Sequence, residues 1–289
     1  NTGRFRECFD GAHTKFWNHA GIDSRSVSIT NKARLQSWIE VYGDDSDFVR
    51  IRVKGQFPRH GMMEFFSAAE IEAAMQREVT VAITDPLAMG VDVARFGMNN
   101  SVIWPRKGRD ARSIPRQIFN GLSTVDLATK VFEANSLYRA DGIMVDGGGV
   151  GGGVVDNLRH MHLFCFDVQF GGKPDLGGAV TGNQGEKYAN KRAEMYGAAR
   201  AWIKTGALPN DPEIKKQLLA IKYTYNKQDA ILLESKEDMM DDNNGMSPDD
   251  VDALVLTFAY PLAAHAYAGG EHQHEAQKPE KLSVKKGTK

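Results

Sequence analysis

Asp146 closes a short apolar run and is followed by a cluster of glycines, in the stretch GIMVDGGGVGGGVV (142–155). An acid at such a strand end can ligate a cation or move a proton. Gly147, Gly149 and Gly152 also satisfy G-x-G-x-x-G between a strand and a helix, the nominal dinucleotide fingerprint. Two features weigh against a nucleotide. The fingerprint opens a first βαβ unit, whereas three strands and a helix precede this one. The charge of Asp146 would also oppose a pyrophosphate held on those amides. The glycines read better as a tight turn that packs the next helix on the sheet and leaves Asp146 pointing outward.

Other acids occupy comparable places. Asp92 lies inside the apolar run MGVDVA, where burying a carboxylate is costly unless it meets a cation or a donor. In SPDDVDALVLTF (247–258), Ser247 reads as an N-cap with Pro248 at the first helical position, and Asp250 completes a capping box. Asp249 and Asp252 are three residues apart and share a helix face, with Val251, Leu254, Val255 and Phe258 on the other side. Asp249 could serve the helix dipole alone, but Asp252 lies further in. Hard divalent cations prefer carboxylate oxygens and water. Two such ions, about 3.5–4 Å apart, can activate a water and stabilise a leaving oxygen in phosphodiester hydrolysis. His160, His162 and Cys165 have poor zinc spacing across a helix-to-strand junction, and His272 and His274 lie in a polar tail. No Ser/His/Asp nucleophile can be assigned.

The elements that must position these acids follow from periodicity. Segments 87–94, 101–105 and 116–121 read as three closely spaced strands, an antiparallel meander. A helix over 123–140 is capped by Ser123 and Asp126, with Val125, Leu127, Val131, Phe132 and Leu137 as its apolar positions. A strand at 142–146, a helix at 153–161 and a strand at 163–170 follow. A glycine-rich loop spans 171–186, then a helix 187–206 closing on Gly206, a hairpin 221–234 and a last helix 247–267 that Pro261 can break. Upstream, 31–43 and 67–78 read as helices, and DFVRIRVKGQF (47–57) alternates as a half-buried strand does. The whole is α/β: a mixed sheet, antiparallel meander plus parallel strands, flanked by helices.

Composition sets bounds. The 289 residues suffice for one large or two modest domains, and 42% hydrophobic with 25% charged residues is ordinary for a soluble protein. A formal net charge of −1 excludes a whole-molecule pull toward nucleic acid or membrane, leaving a local basic groove open. No apolar run reaches membrane-spanning length. Cys8 and Cys165 alone encode no disulfide framework, which fits a reducing, intracellular setting. The beginning NTGRFRECFDG has no signal-peptide core and reads as a cut inside a longer protein.

The motifs MGVDVARFG, IMVDGGGVGGGVVDNL, NKRAEMY and SPDDVDALVLTFA closely resemble, in order, the nuclease domain of phage terminase large subunits, over roughly residues 86–265. DDVDALVL is also similar to the last helix of Holliday-junction resolvases. The resemblance implies an RNase H-like fold and a metal-dependent endodeoxyribonuclease of a viral genome-packaging motor. Such an enzyme cuts concatemeric duplex DNA when packaging starts and ends. It implies that Asp92 and Asp146 ligate two Mg²⁺ or Mn²⁺ ions, with Asp249 or Asp252 as the third carboxylate. Many relatives carry acids after RFG, where this chain has MNN (98–100). Residues 1–80 would be the end of the motor ATPase domain and its linker, 81–268 the nuclease and 269–289 a disordered tail. No G-x-x-x-x-G-K-[ST] occurs, so no ATPase activity is expected. Implied partners are double-stranded DNA, the terminase small subunit, the portal protein and the motor domain, in the cytoplasm of an infected bacterium.

Lys187, Lys191 and Arg192 begin the helix after the glycine-rich loop, and Arg200 lies further along; they are candidate phosphate contacts, with Lys173 weaker. A solvated helix face is the competing reading. The competing functions are a resolvase- or transposase-like nuclease and a non-catalytic DNA-clamping or motor-docking module of the same fold.

Overall fold

In the computed structural model, residues 8–9, 14–57, 63–94, 99–175, 186–228, 230–242 and 247–264 are described. The expected disordered tail, most of the RFG–MNN turn and residues 176–185 of the glycine-rich loop lie outside them. No helix among the described residues is long and apolar enough to cross a membrane.

The centre is a five-stranded mixed sheet in the order β4-β3-β2-β5-β6. It is built from β2 (Leu87–Asp92), β3 (Asn100–Lys107), β4 (Gln117–Asn120), β5 (Gly142–Asp146) and β6 (Phe166–Val168). β2, β3 and β4 form the expected antiparallel meander, and β5 joins β2 in parallel with Val91 opposite Val145. Period-two alternation sends neighbours to opposite faces. Met89, Val91, Ile103 and Val145 pack with Leu127 and Val131 of α4 (Thr124–Tyr138) and Val154 and Leu158 of α5 (Gly151–His160). Ala88, Val102, Trp104 and Met144 pack under α6 (Lys191–Ile203) and α9 (Asp249–Leu256). β2 is buried along its whole length, as a strand covered on both faces must be.

A three-stranded antiparallel sheet joins β1 (Met63–Glu64) to the hairpin of β7 (Lys222–Tyr225) and β8 (Ile231–Leu233). Phe65 and Phe66, together with Ile71 of α3 (Ala68–Gln76), sit in the main core. A small separate cluster joins α1 (Lys32–Tyr42) to α2 (Asp47–Arg52) through Leu35, Val49 and Val53. It meets β7 where Phe48 and Tyr225 pack edge-on at 5.7 Å.

Several expectations are corrected. Residues 47–52 are helical: Ser46 caps Val49 N–H, and the buried pair Val49 and Val53 is spaced by one helical turn. On α4, Val125, Phe132 and Leu137 are exposed, and Ala128 and Ala134 take the core positions. The last helix is capped at Pro248 and ends at Leu256, well before Pro261. Two helices went unread: α7 (Pro212–Ala220), capped by Asp211 with Pro at its start, and α8 (Lys236–Asp242), where Ser235 and Asp238 form a capping pair.

Candidate active site

Asp92 and Asp146 stand at adjacent ends of parallel strands, one residue beyond the Val91–Val145 pair. Both close their strands at the carboxyl edge of the sheet, where open α/β sheets bind ligands. α9 lies across β2 and β3 with its N-terminus at this same edge. Gly90 permits that approach, because a Cβ there would run into the carbonyl of Ala253. Gly151 does the same for α5, where a Cβ would run into the carbonyl of Asp146. The glycine cluster thus shapes a turn, and its Gly148 N–H donates to Asp146 Oδ1 at 3.0 Å.

The four acids converge, in different electrostatic states. Asp92 is 3% exposed, and its Oδ1 is buried with no hydrogen-bond partner. Burial pushes its carboxyl well above the usual range, and the charges of Asp252, Asp249 and Asp146 add to that while Lys236 opposes it. Burial also raises Asp146, against the Gly148 N–H, and Asp249, against Ser247 and the Asn100 N–H. Asn100, the first residue of β3, donates to Asp249 Oδ2 at 2.8 Å and pins the start of α9 to the sheet. Asp252 is fully buried, yet its carboxyl is held below the usual range. Desolvation alone would raise it, but the charges of Lys236 and Arg192 outweigh that, and the Tyr196 hydroxyl donates to Oδ1 at 2.8 Å.

Lys236 had no signal of its own in the sequence. It opens α8 and puts Nζ 2.6 Å from Asp252 Oδ2 and 3.8 Å from Asp92 Oδ1. Asp252 Oδ2 takes no well-aligned hydrogen bond, but an ammonium at that distance is an ion pair all the same. Only the overlooked capping pair at Ser235 and Asp238 could have marked a helix beginning there.

Among the described residues no three His, Cys, Asp or Glu side chains already form a ready cation cage. The donor set still fits hard divalent ions. It is all carboxylate, it holds a buried oxygen on Asp92 that takes no hydrogen bond, and Mg²⁺ usually keeps several waters and takes one or two carboxylates. Lys236 and Arg192 supply the positive charge beside these acids. Asp250, between the pair, points elsewhere: it binds Arg116 Nε at 2.5 Å and Gln217 Nε2 at 2.9 Å instead of closing a capping box.

The basic candidates separate. Lys191, 4% exposed, is ion-paired with Asp175 and Glu194 and donates to the Ala259 carbonyl. Arg192 donates to the Glu234 carbonyl at 2.8 Å, with Nε 3.8 Å from Asp252 Oδ1. Arg200 pairs with Glu186 at 2.7 Å and lies over Phe65. Lys191 and Arg192 are thus buried and Arg200 half-buried, each with a partner inside the fold. Lys187 and Lys173 remain exposed. His160 and His162 are exposed and Cys165 is buried, so they form no joint site.

Compared with known proteins, no family model and no curated sequence matches the chain. Solved structures do. A mutant form of gp2c of the large terminase subunit from bacteriophage Sf6, with calcium, superposes with a TM-score of 0.58 at 16% identity, covering 69% of this chain and 100% of that one. The fold is that of a terminase nuclease domain. The nuclease domain of the large terminase subunit gp2 of bacterial virus Sf6 gives 0.55, and a mutant of it with manganese 0.54, each at 16% identity and with the same coverage. In this terminase-nuclease fold the four acids lie together at the carboxyl edge of the sheet, beneath the start of the last helix.

Proposed function

We propose that this chain is a metal-dependent DNA endonuclease of a viral packaging motor, cutting concatemeric duplex DNA in the host cytoplasm as packaging begins and ends. The observation that carries the reading is the convergence of Asp92, Asp146, Asp249 and Asp252 from two adjacent strand ends and one helix, with the Asp92 carboxyl buried among like charges. Acids gathered at such a cost to stability are retained where function needs them. The fold shared with terminase nuclease domains, one of them solved with manganese, supports the same class.

Asp92 and Asp146 would hold the ions, and Asp249 and Asp252 complete the oxygen set. Bound there, Mg²⁺ or Mn²⁺ would make a water nucleophilic near neutral pH and stabilise the leaving oxygen. The chain's own residues do the positioning. Tyr196 and Arg192 orient Asp252 from below, Asn100 fixes Asp249, and Gly148 holds one oxygen of Asp146. The Lys236 ammonium keeps Asp252 ionised. Exposed Lys187 and Lys173 are the DNA contacts on the glycine-rich loop's side. The small subunit, portal and motor domain are the partners, and the motor's end with its linker would lie within residues 1–80.

The second reading is a DNA-clamping module of the same fold that cuts nothing. Plasmid nicking with Mn²⁺, Mg²⁺ or EDTA, beside folded Asp92→Asn and Asp146→Asn variants, separates the two. Metal-dependent cutting lost in both variants supports the nuclease. DNA binding with no cutting under any metal leaves the clamp.

A further inference from the structure

A second feature lies at the opposite pole of the same sheet. Near the start of β2 and beyond the end of α9, a cleft of about 360 Å³ is lined by Arg106, Ala201, Trp202, Thr257, Phe258 and Leu262, among others. It is separated from the carboxylates by the length of α9, about 12 Å at 1.5 Å per residue. The nuclease reading does not use it.

Arg106 is the unusual group there. Its guanidinium donates to Thr257 Oγ1 at 2.7 Å, the Thr257 carbonyl at 2.9 Å and the Gly108 carbonyl at 2.6 Å. Those partners are neutral and take three of its five N–H groups. Among the described residues no carboxylate offsets its charge, and burial alone pulls its pKa down to about 10. One face lies 4.1 Å from the Phe258 ring centroid. The turn after it carries Lys107 and Arg109, and the Gly108 carbonyl between them also accepts the Trp202 indole N–H at 3.1 Å. The cleft is therefore apolar and aromatic, with a cation at its edge. A buried charge with neutral partners gains most from an incoming opposite charge.

We propose that this cleft is a docking pocket for a partner protein that inserts a large apolar side chain next to a carboxylate, the carboxylate pairing with Arg106 and the side chain packing on Trp202 and Phe258. Its volume is at the lower limit of ligand sites, which run from about 300 Å³ upward, so it takes one or two side chains. A protein surface is the fitting source, because the cleft is open on one side and a covering surface would exclude water around the new ion pair.

The test uses the full chain and two peptides, acetyl-Gly-Phe-Asp-Gly-amide and its Asn counterpart, with the Trp202 indole N–H followed by NMR. The Asp peptide should shift that signal saturably and bind about tenfold tighter than the Asn peptide, the worth of one charge-assisted hydrogen bond. Ala201→Leu, which fills the cleft and leaves Arg106 in place, should abolish the shift without changing plasmid nicking. Equal binding of both peptides would remove Arg106 from the recognition. No saturable shift, or a shift that survives Ala201→Leu, would overturn the pocket.

Discussion

Lys236 Nζ lies 2.6 Å from Asp252 Oδ2, and this ion pair joins α8 to the last helix in the middle of the acid cluster. The two partners confirm each other's charge: burial works against both, yet the Lys236 pKa is raised and that of Asp252 lowered. Removing either member takes from the other its nearest opposite charge, a loss of up to roughly 3–5 kcal/mol for a buried pair and less where other partners or solvent remain. Lys236→Ala should therefore lower Tm in EDTA, and Mn²⁺ should restore much of the loss by taking over the missing positive charge. Thermal unfolding with and without Mn²⁺ reads this directly. A Tm loss that Mn²⁺ leaves untouched would mean that the lysine only fastens α8.

Asp92 and Asp252 should respond oppositely to amide substitution. Asp92→Asn removes a buried charge from among like charges, so Tm in EDTA should rise by a few degrees, about what 1 kcal/mol gives in a domain of this size. Asp252→Asn breaks favourable contacts to Lys236, Arg192 and Tyr196, and Tm should fall. Both should abolish nicking. The pair of melting curves checks the electrostatics independently of catalysis.

DNA affinity should depend on the exposed lysines and not on the buried cations. Lys187→Ala and Lys173→Ala should each weaken binding and reduce the slope of log K against log salt by about 1. Arg200→Met should leave that slope unchanged and lower stability instead, because it removes the ion pair to Glu186. Salt titration of duplex binding, beside thermal unfolding, distinguishes the two.

Acid should weaken the fold partly through Asp211. Hydrogen bonding from Arg116 lowers its pKa in the folded chain. Its stabilisation is thus fully present above the unfolded carboxylate value of about 3.9 and fades as pH falls through the lower folded value. Asp211→Asn should melt below the parent at pH 6, with the gap closing toward pH 3. A gap that persists in acid would mean that the effect is not the Asp211 charge, since the cap on Glu213 N–H is one that an amide also supports.

The misreadings have physical reasons. The charges of α6 suggest a solvated face in sequence, but nearly every residue of that helix is buried, and Lys191, Arg192 and Arg200 each meet an internal partner. Charge patterning cannot distinguish a cation facing water from one facing a carboxylate supplied elsewhere in the chain. The alternation in 47–57 was equally ambiguous, since Val49 and Val53 fit both a strand with period two and one helical turn. Ser247 and Asp250 matched a capping box by spacing, while Arg116, far away in sequence, had the stronger claim on Asp250.

The sequence by itself determined the central sheet and the acids it carries. Apolar runs of strand length, each ending or broken by one aspartate, specify β2 and β5, and glycines mark where a helix must press close to them. These are local signals, readable within ten or so residues. Only the tertiary structure decided what surrounds the acids. Lys236 enters the cluster from α8, and Asp249 is fixed by an amide from β3. Protonation, pairing and burial depend on groups distant in the chain, and a carboxylate's charge state is set by what folding brings beside it.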